Sequence, residues 1–174
     1  MTEFVSSVLA PAPDAPLFRD AMARVASAVH VVTTIGPEGR VGLTATAVAS
    51  VSDSPPTVLV CIARPSRTLA VIEASGVFCI NTLPGDGEEL AEIFASRRGI
   101  DGEARFTEGD WGTLATGAPM LREAVAAFDC RLTAAHDIAS HRILIGEVIG
   151  LSGAGSEPAE TTSLIYRRRR FEAV

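Results

Sequence analysis

The chain contains no lysine; all 15 of its basic residues are arginines. That excludes a lysine Schiff base and a lysine phosphate clamp. Any phosphate must be met by arginine, hydroxyls or backbone N–H groups. Cysteine is scarce as well. Cys61, Cys79 and Cys130 stand far apart in apolar runs, and they are expected to be reduced, buried and packed as small hydrophobes. Their number and spacing fit neither a disulfide framework nor a zinc site. No apolar run approaches the length of a membrane span, and the first residues lack the basic segment of a signal peptide. The expected location is the cytoplasm. A formal net charge of −6 argues against a nucleic-acid surface, which needs a basic face. Also missing are a G-x-G-x-x-G after a strand, a Walker loop and a G-x-S-x-G elbow. His136 and His141 lie five apart with only Asp137 beside them as a carboxylate, and no metal site is expected.

What remains is a chain of 174 residues, 47% of them apolar, long enough for one domain with its own core. Residues 1–13, with Pro11 and Pro13, read as an extended arm. The domain proper is 14–174. Asp14 can cap a helix running to about Ser27. Val29–Ile35, Val41–Ser50, Thr57–Ala63, Val77–Leu83, Val125–Ala135 and Arg142–Leu151 read as strands, with a short last strand at Leu164–Arg168. A short helix is expected over Thr68–Ser75, capped by Ser66 or Thr68 and ended by Gly76. A second amphipathic helix is expected over Asp86–Arg98, acidic at its start and basic at its end. Residues 99–118 read as irregular, 136–141 as the link between two long strands and 150–162 as a loose loop. Six or seven strands joined by short turns, with three helices, favour an antiparallel sheet or barrel over a doubly wound parallel sheet.

The segment from Thr44 to Thr68 carries the most chemistry. A strand rich in hydroxyls turns at Ser54-Pro55-Pro56 and returns as Thr57-Val58-Leu59-Val60-Cys61-Ile62. It then ends in the polar loop Arg64-Pro65-Ser66-Arg67-Thr68. Hydroxyls, backbone N–H groups and an arginine beside an apolar wall suit a planar heteroaromatic ring that bears a phosphate. No nucleophile or electrophile stands out elsewhere. An enzyme of this composition would take its reactivity from a cofactor and supply position and electrostatics itself.

An ordered series of markers runs from Phe18 to Phe171: Phe18-Arg19-x-Ala21-Met22, Val31-Val32-Thr33-Thr34, Gly42-Leu43-Thr44-Ala45, Ser50-Val51-Ser52-x-x-Pro55-Pro56, Val58-Leu59-Val60-Cys61 and Ser66-x-Thr68. It continues with Phe78-x-Ile80-Asn81-x-Leu83, Phe94-Ala95, Arg105-Phe106, Pro119-x-Leu121-x-x-Ala124 and Cys130, then His141-x-x-x-Ile145-Gly146-Glu147-Val148 and Leu164-x-Tyr166. Through this series the chain resembles the flavin reductase family. The resemblance implies a mainly β fold with flanking helices, the FMN-binding split β-barrel, antiparallel and Greek-key-like, and a homodimer. It implies FMN (or FAD) as cofactor and NADH or NADPH as co-substrate. It places Thr44, Ala45 and Thr46 along the ring edge, and Ser50, Val51 and Ser52 as donors near the ring and its side chain. Cys61 falls beside the ring, and Ser66, Arg67 and Thr68 form the phosphate loop. His141 is the residue that seats the nicotinamide, here within Ala139-Ser140-His141 and without the glycine and acid that often precede it. Arg167–Arg170 are candidates to contact a dinucleotide phosphate or the flavin phosphate, although a solvated tail is the expected role for most of the four, and Arg97 or Arg98 is a similar, weak candidate. The implied activity is hydride transfer from nicotinamide to flavin. Reduced flavin then serves a partner monooxygenase, of which the 4-hydroxyphenylacetate type is one example. Single-electron delivery to a cobalt corrinoid, as in the cob(II)yrinic acid diamide reductases, is an alternative. A non-catalytic flavin- or haem-binding module is another, which would make His30, His136 and His141 candidate haem ligands.

Overall fold

Two residues, Thr46 and Ala47, separate strands that lie at opposite edges of one sheet. The computed structural model describes residues 12–153 and 162–174. Strand β1 (Ser27–Ala28) leads into β2 (His30–Gly36), β3 (Gly39–Ala45), β4 (Val48–Asp53) and β5 (Pro56–Ala63). Helix α2 (Arg67–Ser75) leads to β6 (Val77–Thr82), and the long pair β9 (Ala126–Ile138) and β10 (His141–Ser152) follows later. The main sheet is antiparallel, in the order β3-β2-β6-β9-β10-β5-β4. Laid flat, seven strands would hold their outer members about 29 Å apart. The step from Ala45 to Val48 spans at most roughly 11 Å. The sheet must therefore curl until its edges meet at this bend, and the β4–β5 ladder runs right up to it, the backbone N–H of Cys61 donating to the carbonyl of Ala47, 3.0 Å away. The expected single strand 41–50 is thus two strands broken at Thr46-Ala47. Its alternation of small residues looked continuous because no glycine or proline marks the bend.

The caps behave as their chemistry dictates. Asp14 accepts from the N–H of Leu17 and starts α1 (Ala15–Met22). That helix stops short of the expected Ser27, because Ser27 and Ala28 pair with Tyr166 and Ile165 of β11 (Leu164–Arg167). Ser66, not Thr68, caps α2, and Gly76 ends it at φ +73°. The second expected helix shrinks to α3 (Glu88–Phe94), because Ser96 turns into the left-handed region at φ +61°. The link expected at 136–141 contracts to Ala139-Ser140, so His141 becomes the first residue of β10. The segment expected to be irregular holds a short 3-10 turn (Gly102–Thr107) and the small pair β7 (Trp111–Thr113) with β8 (Pro119–Leu121). Strand β12 (Arg170–Ala173) pairs with β11 and completes a three-stranded sheet with β1. The proposed N-terminal arm and most of the 150–162 loop lie outside the described residues. Among the described residues, no helix is long and apolar enough to cross a membrane.

Two cores form on the two sides of β2. Val32, Val58, Val60, Ile62, Leu69, Ile72, Phe78, Ile80 and Leu144 fill the barrel. Val29, Val31, Leu83, Ile93, Phe94, Phe106, Leu121 and Leu164 pack beneath α3. Alternation along β2 sends Val31 to one core and Val32 to the other. Asn81, fully buried, ties the second region down. Its amide donates to the carbonyl of Val31 (3.0 Å) and to Thr33 Oγ1 (3.2 Å), and its oxygen accepts from the N–H of Leu121 (2.8 Å). Each buried polar atom so satisfied avoids a penalty of about 1–3 kcal/mol.

Candidate functional site

A cleft of about 630 Å3 opens between β3, the end of β5, the start of α2 and the segment after α3. Its volume falls within the range of small-molecule and cofactor pockets, about 300–1,000 Å3. One wall is the bend itself, with Thr44, Ala45 and Thr46. The opposite wall is Cys61, Ile62 and Ala63, and it continues into Ser66, Arg67 and Thr68. These residues converge because β5 runs straight into the N-cap of α2. The strand's apolar face and the helix's first N–H groups thereby share one cavity. A helix N-terminus with adjacent hydroxyls is suited to an anion. Thr68 is 5% exposed, and Ser66 Oγ accepts from the N–H of Leu69 at 3.4 Å. Arg67 stands exposed at the mouth, its Nη2 2.9 Å from Glu38 Oε2.

The hydroxyl of Thr44 donates to the carbonyl of Ala91 in α3 (2.7 Å). Its proton is therefore committed to the fold, and the oxygen can only accept from a ligand. His141 also lines the cleft. The register pairs it with Ala63, which brings the imidazole to the end of β5 just before the phosphate-type loop. Ser140 Oγ lies 2.9 Å from its Nδ1 and holds the ring, which leaves Nε2 available.

Eight of the expected site residues thus line one cavity: Thr44, Ala45, Thr46, Cys61, Ser66, Arg67, Thr68 and His141. Ser50, Val51 and Ser52 do not line it. They lie on β4, at the sheet's outer edge, where a bulge separates the partners of Ser50 and Ser52 and Val51 is 51% exposed. Cys61 is half-buried, not fully buried as expected, while Cys79 and Cys130 are buried. Burial, reinforced by the nearby Asp129 charge, raises both of those thiols, Cys130 to about 12. Neither is a thiolate near neutral pH.

Sequence reasoning left Phe94, Ser96 and Arg105 out of the site, although Phe94-Ala95 and Arg105-Phe106 were among the family markers. Phe94 forms the cleft floor and packs against Phe106 and Trp111, with centroids 5.1 and 5.6 Å away. Arg105, with its side chain 12% exposed, donates to the carbonyls of Ile100 (2.9 Å) and Gly42 (3.2 Å) and to Ser96 Oγ (2.7 Å). Its guanidinium, 3.4 Å from the exposed carboxylate of Asp101, stands in the cleft wall and clamps the 96–102 segment to β3. Arg40 Nε reaches Glu103 Oε1 at 2.6 Å and secures the same segment from the other side. That hydrogen bond holds the Glu103 carboxyl below its usual range. Arg97 and Arg98 do not line the cleft.

His30 is buried on β2, with Nδ1 3.1 Å from Thr82 Oγ1, and does not line the cleft. Burial lowers its pKa to about 4, so it is neutral at physiological pH. Among the described residues, no group of three or more His, Cys, Asp or Glu side chains is placed to hold a metal ion.

Comparison with known proteins places this chain in a defined family. A model for the flavin reductase like domain matches residues 22–174. FMN reductase (NADH) RutF of Ancylobacter novellus is 47% identical over 165 residues, covering 95% of this chain and 88% of that protein. A protein of Haemophilus somnus, classed provisionally as a flavin reductase, superposes with a TM-score of 0.86 at 41% identity, covering 93% of this chain and 100% of the other. BorF, the flavin reductase component of a bacterial two-component tryptophan halogenase, gives a TM-score of 0.82 at 28% identity, covering 92% and 98%. These relatives are named for flavin reduction, and none of them for corrinoid chemistry. The chain belongs to the flavin reductase like domain family.

Proposed function

We propose that this chain is an NADH-dependent flavin reductase that holds FMN in the cleft and hands reduced flavin to a separate oxygenase or halogenase component. The observation that carries this reading is the meeting, in one cavity, of the α2 N-terminus with its hydroxyls, the apolar wall of β5 and the cation of Arg105. A phosphate end, a flat middle and a charge-accepting edge are the three demands of a flavin phosphate. The names of the relatives favour NADH and FMN over NADPH and FAD. The structural neighbour BorF, named as the flavin reductase component of a two-component halogenase, supports delivery to a second protein.

When bound, FMN supplies the acceptor for the hydride that the nicotinamide gives up. The protein's residues create the conditions for that transfer. Ser66, Thr68 and the first N–H groups of α2 hold the phosphate. Ile62, Ala63 and Phe94 exclude water from the ring and fix its plane. Arg105 favours the negative charge that accumulates on reduction, and it needs no reorganisation because three acceptors already hold it in place. His141, steadied by Ser140, orients the nicotinamide so that reacting atoms can approach to roughly 3–3.5 Å.

The active unit is a homodimer. Helix α1 buries no residue of its own, and Leu17, Phe18 and Met22 are exposed. Three large apolar side chains on one short helix, exposed among the described residues, favour a second copy as their cover. Ser50, Val51 and Ser52 would then serve at a site that the second copy completes. Sedimentation of the purified protein should give twice the chain mass.

Anaerobic titration of the FMN-loaded protein with NADH tests the function. Stoichiometric bleaching of the flavin absorbance is expected. A bound flavin that NADH leaves yellow would overturn the enzymatic reading.

A further inference from the structure

Three of the four consecutive arginines, Arg167, Arg168 and Arg169, line a second concavity, at a corner that the cleft does not include. Arg168 and Arg169 form the two-residue tip of the β11–β12 hairpin, and both have positive φ, +51° and +60°. That turn asks for Asn-Gly. Two arginines there accept left-handed backbone to hold their side chains at the tip, and such outliers concentrate at functional sites. The hairpin faces the end of α1, and together they enclose a cavity of about 550 Å3. It is lined by Asp20, Ala23, Arg24, Arg167, Arg168 and Arg169.

Charge in this cavity is only partly balanced. Arg167 pairs with Glu172 (2.6 Å), and Arg169 pairs with Asp20. Arg24 and Arg168 have no acidic partner among the described residues. The Nε of Arg167 is buried and meets no hydrogen-bond acceptor among them. Two exposed guanidiniums without a carboxylate partner among the described residues, Arg24 and Arg168, converge on one hollow and suit an oxyanion supplied from outside. The cavity is several times larger than one phosphate needs, which suits a diphosphate.

We propose that this corner is an anion site for the diphosphate group of a nucleotide. Ser96 lines the cleft, and the guanidinium of Arg97, the next residue, lies 5.7 Å from the Phe171 ring and 5.9 Å from the Tyr166 ring of the same hairpin. The chain as a whole carries −6, which repels anionic substrates. A basic corner offsets that repulsion locally and captures phosphates. The site stands on its own geometry; only its assignment to the dinucleotide rests on the flavin reductase reading.

The test is calorimetric titration of the full-length protein with inorganic pyrophosphate and with ADP, at low and high salt. The variants are R24Q and R168N/R169G. The second restores the residues that the turn prefers, so its Tm should equal or exceed that of the wild type. R24Q, in the exposed turn after α1, keeps the test open if the hairpin variant is unstable. Saturable binding to the wild type that weakens with salt, and at least tenfold in each variant with FMN affinity unchanged, is the expected result. No binding to the wild type, or equal binding by the variants, would overturn the site. Two further outcomes identify the source. If pyrophosphate raises the KM for NADH, the occupant is the diphosphate of the dinucleotide. If it binds and leaves that KM unchanged, the occupant is a free nucleotide or phosphate. Pyrophosphate binding needs neither flavin nor turnover, so it can be read even if NADH fails to reduce the flavin.

Discussion

Glu38 and Arg67 form an ion pair, 2.9 Å between Oε2 and Nη2, across the mouth of the cleft. Both side chains are exposed, so the pair itself adds at most about 1 kcal/mol to stability. Its effect falls on the ligand instead: a phosphate must compete with the Glu38 carboxylate for the guanidinium. Glu38→Gln should therefore tighten FMN binding by roughly three- to tenfold, and Arg67→Ala should weaken it about tenfold, or about 1.4 kcal/mol. Quenching of flavin fluorescence measures both. Unchanged affinity in both variants would remove Arg67 from the phosphate site.

His141 touches the cleft but neither its apolar wall nor the α2 N-terminus depends on it. His141→Ala should slow the reduction of bound FMN by NADH, on the order of tenfold or more, with little change in the Kd for FMN. Ser140→Ala, which frees the ring, should give a smaller effect of the same kind. Stopped-flow reduction that proceeds at the wild-type rate in His141→Ala would show that the imidazole has no part in seating the nicotinamide.

Gly42 has no room for a side chain. A Cβ there would come within 2.8 Å of Phe94 Cε1 and 3.0 Å of the Val32 carbonyl oxygen. The carbonyl belongs to the neighbouring strand, and Phe94 is held between Phe106 and Trp111. Gly42→Ala should destabilise by about 1–3 kcal/mol. Trimming the obstructing ring, in G42A/F94L, should cost less than the two single changes added together. Denaturant unfolding of the four proteins supplies the cycle.

His30 is a pH-dependent element of stability. Burial holds it at about 4, against 6.5 for an unburied histidine. Between those values the folded protein binds fewer protons than the unfolded chain. Stability is therefore complete above about pH 6.5 and is lost as pH falls towards 4, by up to about 3 kcal/mol. In His30→Gln this part of the acid sensitivity should vanish. The difference in unfolding free energy between wild type and variant, followed from pH 7 to pH 4, isolates it from the carboxylates. A difference that does not change with pH would mean that His30 is not held neutral.

Local features were legible because their causes are local. Asp14 and Ser66 cap their helices as short polar side chains do, and Gly76 ends α2 because it tolerates a positive φ. The apolar runs of β5, β6 and β10 announced buried strands. Where neighbours in space competed with neighbours in sequence, the reading failed. Ser27 has helical surroundings in sequence but pairs with Tyr166, 139 positions away. The sequence 86–98 has the charge gradient of one helix, yet Arg105 claims Ser96 and the helix ends at Phe94.

From the order of its residues alone, this protein is antiparallel and mainly β, and its Thr44–Thr68 segment carries the hydroxyls, arginine and apolar face that a flavin phosphate needs. Alternation, capping and turn chemistry act over a few residues, and so they can be read in a line. Tertiary structure decided that Thr46-Ala47 is a corner and that the sheet closes there. It decided that Arg105 and Phe94 come from a distant segment to finish the cleft, and that Ser50–Ser52 lie on the edge strand β4 and do not line it. Those outcomes depend on which strand edges meet and which buried groups find partners. Pairings across tens of residues settle such questions, and no short window of sequence contains them.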